Sequence, residues 1–236
     1  MLIHHEHAPT TPDFTDSRLH VLFADDDEDI RALVEVSLDS APGIDLTLCR
    51  SAEEALERLC GQHVDLIVAD LNMPGMGGLG LVDALHGRSR PPIIITTAHP
   101  DALAPGSIDP PPDAVLAKPY DAPNLAKQLR QMHTDITRQA AEHVLGELGD
   151  RFKRELPSTL AALKVLVRTH QQRGAPLPAS VMTSLREITA AATMYGLSEI
   201  AQRSRTLHSQ LRANPGLGGG QDHKRIERAL DGLIAP

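Results

Sequence analysis

The sequence predicts two folds in one chain: an α/β domain built on a doubly wound, five-stranded parallel sheet, then an all-α antiparallel helix bundle. Three observations carry this. Short apolar runs alternate with helical periodicity from Leu19 to Ala117, the pattern of βαβ units whose sheet is buried on both faces. Beyond residue 146 no strand pattern remains. Charge divides near the same place: residues 1–135 hold 22 Asp/Glu and 9 Lys/Arg, whereas residues 136–236 hold 9 and 14. At about 150 residues per domain, a chain of 236 residues accommodates two modest domains. The expected divisions are a flexible tail at 1–17, the α/β domain at 18–132 and the bundle at 133–236.

Residues 1–17 are polar, with Pro9, Pro12 and the His4/His5/His7 group but no apolar period, and read as a solvated tail. Strands are expected at Leu19–Ala24, Ile44–Cys49, Val64–Ala69, Ile93–Thr97 and Ala114–Ala117. Apolar residues three and four apart predict helices at Glu28–Ser40, Ala52–Gly61 and Gly78–His86. The fourth crossover, Pro100–Pro112, carries Pro105 and the run Pro110 to Pro112, which remove backbone donors and leave room only for a short or broken helix. After Pro123, the segment Asn124–Leu145 contains neither Gly nor Pro and is free to run on into the second half. Its stripe of Leu125, Leu129, Met132, Ile136, Ala140 and His143 suits packing on the sheet, on the next domain or on a second chain as a homodimer. Further helices are expected at 150–172, 179–194, 197–213 and 221–234, with Ser180 capping the second of these and Ser198 with Glu199 opening the third.

Composition excludes several classes. Cys49 and Cys60 lack both the number for a disulfide scaffold and the spacing of a metal knuckle. Five aromatic residues, Phe14, Phe23, Tyr120, Phe152 and Tyr195, are too few for a base-stacking surface. No apolar run approaches the roughly 18 residues of a membrane span, and the N-terminus lacks the pattern of a signal peptide, so a soluble cytoplasmic protein with no membrane partner is expected.

Four features fall at the carboxyl ends of the expected strands, the edge where open α/β sheets place their sites. Asp25-Asp26-Asp27 follows the first strand, Asp70 with Leu71-Asn72-Met73-Pro74-Gly75 the third, Thr97 ends the fourth, and Lys118-Pro119 follows the fifth. Taken singly, each reads as a loop or a cap. Together they place carboxylates, a hydroxyl and an ammonium in one crevice. Clustered carboxylates make a hard-oxygen site for Mg²⁺. A carboxylate nucleophile attacking a phosphoryl group in line, with a metal, an ammonium and a hydroxyl meeting the charge on the equatorial oxygens, uses this whole set.

Residues 19–132 resemble the receiver domain of two-component response regulators. The segments Val21-Leu-Phe-Ala-Asp-Asp26, Asp65-Leu-Ile-Val-Ala-Asp-Leu-Asn-Met-Pro-Gly-Met-Gly-Gly78, Ile95-Thr-Thr-Ala98 and Lys118-Pro119 carry the resemblance, in order and at family spacing. It implies a flavodoxin-like fold. It also implies that Asp70 accepts a phosphoryl group from the phosphohistidine of a sensor histidine kinase or a phosphotransfer protein. Asp26, Asp70 and the backbone carbonyl of Asn72 would bind Mg²⁺, Asp25 would act through water, and Lys118 and Thr97 would hold phosphoryl oxygens. Such a domain catalyses only its own phosphorylation and dephosphorylation, so no enzyme acting on a separate substrate is implied. Two departures are plain: Val115 stands where receivers usually carry Tyr or Phe, and the run Pro110 to Pro112 replaces the usual Gly-Ala before the fifth strand. They put the usual conformational readout in doubt, while phosphorylation itself is expected to survive.

The segments Arg151–Leu163 and Leu185–Ala201 are similar to histidine phosphotransfer (HPt) domains, four-helix bundles with an exposed histidine ten residues before a glycine. Registering on Gly196 places Arg186 where that histidine would stand, with Thr189 and Ala190 at the following lysine and glycine positions. The phosphoacceptor is absent, and an exposed arginine there suits contact with an acidic partner. Gly196–Leu211 also loosely resembles the helix-turn-helix that many response regulators carry, but Glu199–Leu211 runs without the Gly or Pro of a turn. The expected protein is a response regulator acting through its bundle on an output protein, with DNA an unlikely partner; the alternative is a receiver-controlled transcription factor.

Overall fold

The computed structural model describes residues 18–39, 41–103, 108–173, 175–213 and 220–234. The expected tail at 1–17, with its histidines, Pro105, and the glycine-rich stretch 214–219 lie outside them, as does the side chain of His223.

Five strands, β1 Leu19–Ala24, β2 Ile44–Cys49, β3 Leu66–Asp70, β4 Ile93–Thr97 and β5 Ala114–Ala117, form one sheet in the order β2-β1-β3-β4-β5. Every pair is parallel. The apolar residues alternate between two covered faces. Leu22, Ala24, Ile67, Ala69, Ile93 and Ile95 pack on α2 (Ala52–Leu59) and α3 (Gly77–Leu85) through Ala52, Ala55, Leu81, Val82 and Leu85. Val21, Phe23, Leu66, Val68, Ile94 and Leu116 pack on α1 (Glu28–Asp39) and on the start of α4 (Leu125–Gln172) through Val34, Leu38, Leu125 and Leu129. This is the doubly wound α/β fold the sequence predicts.

Two details differ from that prediction and one follows it. β3 begins at Leu66 and ends on Asp70, which pairs with Thr96. The apolar run hides this because the ladder is made by backbone groups, which an aspartate supplies as well as an alanine. Among the described residues the fourth crossover holds a 3₁₀ turn at Pro100–Leu103, the short helix expected of this proline-rich segment. The helices expected at 124–145 and 150–172 are one helix of 48 residues, α4, which continues through Gly146, Gly149 and Pro157. A glycine inside a helix costs only about 1 kcal/mol, so neither terminates it. The predicted stripe is buried at Leu125 and Leu129, half-buried at Met132 and Ile136, and exposed at Ala140 and His143.

The chain divides into two compact units, 1–139 and 140–236. The second unit has one core, to which α4 contributes Leu156, Leu160, Leu163 and Val167, α5 (Ala179–Met194) Val181, Leu185 and Ile188, and α6 (Ser198–Ala213) Leu207 and Leu211. Ile226 and Leu230 of α7 (Gly220–Asp231), with Leu233, complete it. α5 and α6 are pinned side by side: the Ser204 hydroxyl, fully buried, donates to the Leu185 carbonyl at 2.9 Å and accepts from the Thr189 hydroxyl at 3.0 Å. So are α4 and α7, through Arg168 on Glu227 and Lys164 on Asp231. Ser180 is not the cap expected of it. α5 starts at Ala179 after Pro178, whose extended backbone (φ −68°, ψ 145°) supplies the turn without a side-chain hydrogen bond. Gly196, at φ +70°, makes the reversal between α5 and α6, a left-handed conformation that a residue with a Cβ rarely adopts.

Candidate functional site

β1 and β3 are neighbours in the sheet, so their carboxyl ends bring Asp25, Asp26 and Asp70 together. One carboxylate oxygen from each lies within 4.8 Å of the others. Asp25 and Asp70 are buried and Asp26 is exposed. Lys118, just beyond β5, places its Nζ 2.7 Å from Asp25 Oδ2 and 2.7 Å from Asp70 Oδ1. Its backbone is fixed by donation from Lys118 N to the Thr97 carbonyl at 2.8 Å, so the end of β4 sets where the ammonium starts.

Each acid is also held by backbone. Asp25 Oδ1 accepts from Asp27 N at 3.0 Å, and Asp70 Oδ2 from Asn72 N at 2.8 Å. Burial raises the Asp25 carboxyl above its usual range, against the opposing pull of the Lys118 ammonium and the Asp27 amide. Burial likewise works against the charge on Lys118, but the hydrogen bonds it donates to Asp25 and Asp70 outweigh it and hold the ammonium above its ordinary value. Thr97 is buried at the end of β4, with its hydroxyl accepting from His99 N at 3.1 Å. Asp27 is a cap: its Oδ1 accepts from Asp29 N at 2.9 Å in the first turn of α1.

The loop after Asp70 turns on glycines. Gly75 and Gly77 have φ +80° and +66°. A Cβ on Gly78 would stand 2.4 Å from the Asp70 carbonyl oxygen, so only glycine lets α3 start against the acid's backbone.

Arg186, singled out for the second unit, lies exposed on α5 and makes no ion pair among the described residues. Sequence reasoning missed three residues around the first site. Arg31 Nη1 donates to the Asp25 carbonyl at 2.7 Å and steadies the acidic loop. The Tyr120 ring centroid lies 5.9 Å from Lys118 Nζ, and burial pushes its phenol up to about 12. Glu53 reaches the loop after Asp70 from α2. Tyr120 stands two places after Lys118 and was visible as an aromatic; Arg31 and Glu53 carry no local signal, since an arginine or a glutamate on a helix is ordinary.

A half-buried ammonium between two carboxylates, with a third carboxylate close by, makes one acidic crevice at the carboxyl edge of the parallel sheet, where Thr97 ends the neighbouring strand. Residues 21–130 match the response regulator receiver domain family, and the first unit carries that receiver domain. The similar proteins include the DNA-binding transcriptional regulator NtrC of Escherichia coli (strain K12), 36% identical over 108 residues, which cover 43% of this chain and 22% of NtrC. They also include the transcriptional regulatory protein FixJ of Bradyrhizobium diazoefficiens, 32% identical over 117 residues, which cover 47% of this chain and 54% of FixJ. The chain thus spans about a fifth of the first relative and about half of the second. Among solved structures, the chemotaxis response regulator CheY4 of Vibrio cholerae is 28% identical with a TM-score of 0.45, covering 49% of this chain and 99% of that one.

Proposed function

We propose that Asp70 accepts a phosphoryl group from the phosphohistidine of a sensor histidine kinase or phosphotransfer protein, in a Mg²⁺-dependent reaction, and that this controls the C-terminal bundle. The observation that carries the reading is Lys118 Nζ, 2.7 Å from both Asp25 and Asp70. A structural ion pair needs one carboxylate, whereas this ammonium is shared between two and stands beside a third. Three carboxylate oxygens within 4.8 Å suit a hard cation, so Asp25, Asp26 and Asp70, with the Asn72 carbonyl, are the residues that would hold Mg²⁺. Bound there, the metal neutralises charge on the incoming phosphoryl group. An Asp70 oxygen attacks phosphorus as the bond to the histidine nitrogen breaks, and Lys118 and the Thr97 hydroxyl take up charge on the equatorial oxygens. The chain acts on no other substrate. The decisive experiment is incorporation of label from acetyl phosphate with and without Mg²⁺, in wild-type and Asp70→Asn protein.

For the bundle, the reading is a degenerate HPt-like module that acts on an output protein by contact. Its support is a four-helix core and an exposed arginine at the position of the missing histidine. Thr189, at the lysine position, is committed inward, donating to the Leu185 carbonyl at 2.7 Å and to Ser204. Arg186→Glu is expected to weaken binding to an acidic receiver partner, and so is added salt. A homodimer would form through the 124–145 part of α4, where Val144 and Leu145 are exposed. A cytoplasmic site of action is part of this proposal; no helix among the described residues is long and apolar enough to cross a membrane.

The second reading is a receiver-controlled transcription factor. NtrC is named as a DNA-binding regulator, and the second half carries the basic excess. Against it, Ser198–Ala213 is one uninterrupted helix, so the turn that the Gly196–Leu211 resemblance needs is missing. Gel shifts at stated salt concentrations separate the two readings, retention of duplex DNA at physiological salt favouring this one.

A further inference from the structure

We infer that Glu53, on α2, is a positioning residue of the phosphoacceptor site. Its Oε1 accepts from Met76 N at 2.8 Å, across 23 residues of sequence. Met76 ends the loop that begins at Asp70 and is the residue from which α3 starts, yet α3 has no side-chain cap of its own and no acid in its first turn. Glu53 supplies both from another element, a hydrogen-bond acceptor for an orphan amide and a negative charge at a helix N-terminus. The Met76 amide in turn holds the Glu53 carboxyl below its usual range.

The contact is built from both sides. On the α2 side, Ser51 accepts from Glu54 N at 3.2 Å and Glu54 Oε2 accepts from Arg50 N at 3.0 Å, a reciprocal cap that fixes the first turn. Ala52 and Ala55 are fully buried against the sheet, so Glu53 projects from an anchored base. On the loop side, a Cβ on Gly75 would stand 2.6 Å from Glu53 Oε1. Gly75 thus serves the approach of this carboxylate as well as its own φ of +80°.

The consequence is a loop pinned at both ends. At its start, Leu71 N donates to the Thr96 carbonyl at 2.9 Å and Asn72 N to Asp70 Oδ2 at 2.8 Å; at its end stands Glu53. The Asn72 carbonyl lies between the pins. This inference rests on reading the crevice as a Mg²⁺-dependent phosphoacceptor site: Glu53 acts through the loop that presents the Asn72 carbonyl and orients one Asp70 oxygen.

The test uses the full chain as wild type, Glu53→Ala and Glu53→Gln, with two readouts: hydrogen exchange at the Met76 amide and the Mg²⁺ dissociation constant by calorimetric titration. Glu53→Ala is expected to accelerate the exchange and to raise the dissociation constant roughly tenfold, the scale of losing an outer partner of a metal ligand. Glu53→Gln keeps a carbonyl acceptor and is expected to stay within about threefold of wild type, a rescue that loss of charge would not show. If Glu53→Ala fails to fold, Glu53→Met removes the acceptor while keeping the length of the side chain and is expected to give the same two changes. Unchanged exchange, an unchanged dissociation constant, or equal losses in the Ala and Gln variants would each overturn the assignment. A wild-type chain that binds no Mg²⁺ but loses Met76 protection in Glu53→Ala overturns the functional reading and Glu53's role at the cation, leaving only a loop contact.

Discussion

Lys118 and Asp25, 93 residues apart in sequence, meet at 2.7 Å between the ends of β5 and β1. Asp25 is 1% exposed, so the ammonium is what makes its charge tolerable. Lys118→Ala leaves that carboxylate and Asp70 buried without a counter-charge and is expected to cost about 3 kcal/mol, the low end for breaking a buried pair. Urea denaturation in chelator measures it, and Mg²⁺ is expected to restore part of the loss.

Within the acidic triplet and its partner Asp70 the proposed roles differ. Asp70→Asn is expected to abolish labelling by acetyl phosphate, because an amide is a poor nucleophile. Asp26→Ala is expected to weaken Mg²⁺ binding strongly. Asp27→Ala is expected to leave it nearly unchanged while lowering stability by about 1 kcal/mol, the worth of a helix cap. Equal loss of Mg²⁺ at positions 26 and 27 would show that the triplet is assigned wrongly.

Gly78→Ala tests the close approach of α3 to Asp70. The new methyl would stand 2.4 Å from the Asp70 carbonyl oxygen and 3.0 Å from Ile95 Cδ1. A backbone atom cannot rotate aside, so a cost of about 2 kcal/mol is expected, with slower labelling of Asp70. Thermal melts and the rate of label uptake read the two effects.

The second unit carries a pH-dependent strap. Hydrogen bonds from Arg168 hold the Glu227 carboxyl below its ordinary range, with Arg168 Nε 2.7 Å and Nη2 2.9 Å from its two oxygens. A depressed carboxyl contributes stability above its unfolded pKa, about 4.3, and loses it as pH falls through the lower folded value. Glu227→Gln is therefore expected to lower the melting temperature at pH 7 and to match wild type near pH 3.

The cysteines divide by burial. Burial pushes the Cys49 thiol up to about 11, whereas Cys60 is exposed. One thiol per chain is expected to react with a colourimetric disulfide reagent at pH 8 and two after denaturation; two in the native state would contradict the packing of β2.

The first site was legible because its residues share one mark, the carboxyl end of a strand. Asp25, Asp26, Asp70, Thr97 and Lys118 are distant in sequence, but a parallel sheet gathers such ends on one edge, so periodicity and residue type together suffice. Ser180 was misassigned because a serine near a helix start is only one way to begin a helix, and Pro178 had already set the turn. That the 124–145 segment could run on into the second half was legible, but its joining with the 150–172 helix was not, because Gly146, Gly149 and Pro157 weigh against a helix locally without forbidding it.

By itself the sequence determined the α/β and all-α halves, the strands with their helical crossovers, and the acids, hydroxyl and lysine of the crevice, since these follow from hydrophobic period and short-range chemistry. Only the tertiary structure decided that Lys118 bridges Asp25 and Asp70, that Glu53 holds Met76, that Arg31 steadies Asp25, and that Ser204 pins α5 to α6. Those contacts join residues 6 to 93 positions apart. Each depends on which elements lie side by side, and a charged or hydroxyl side chain carries no period along the sequence to announce its partner.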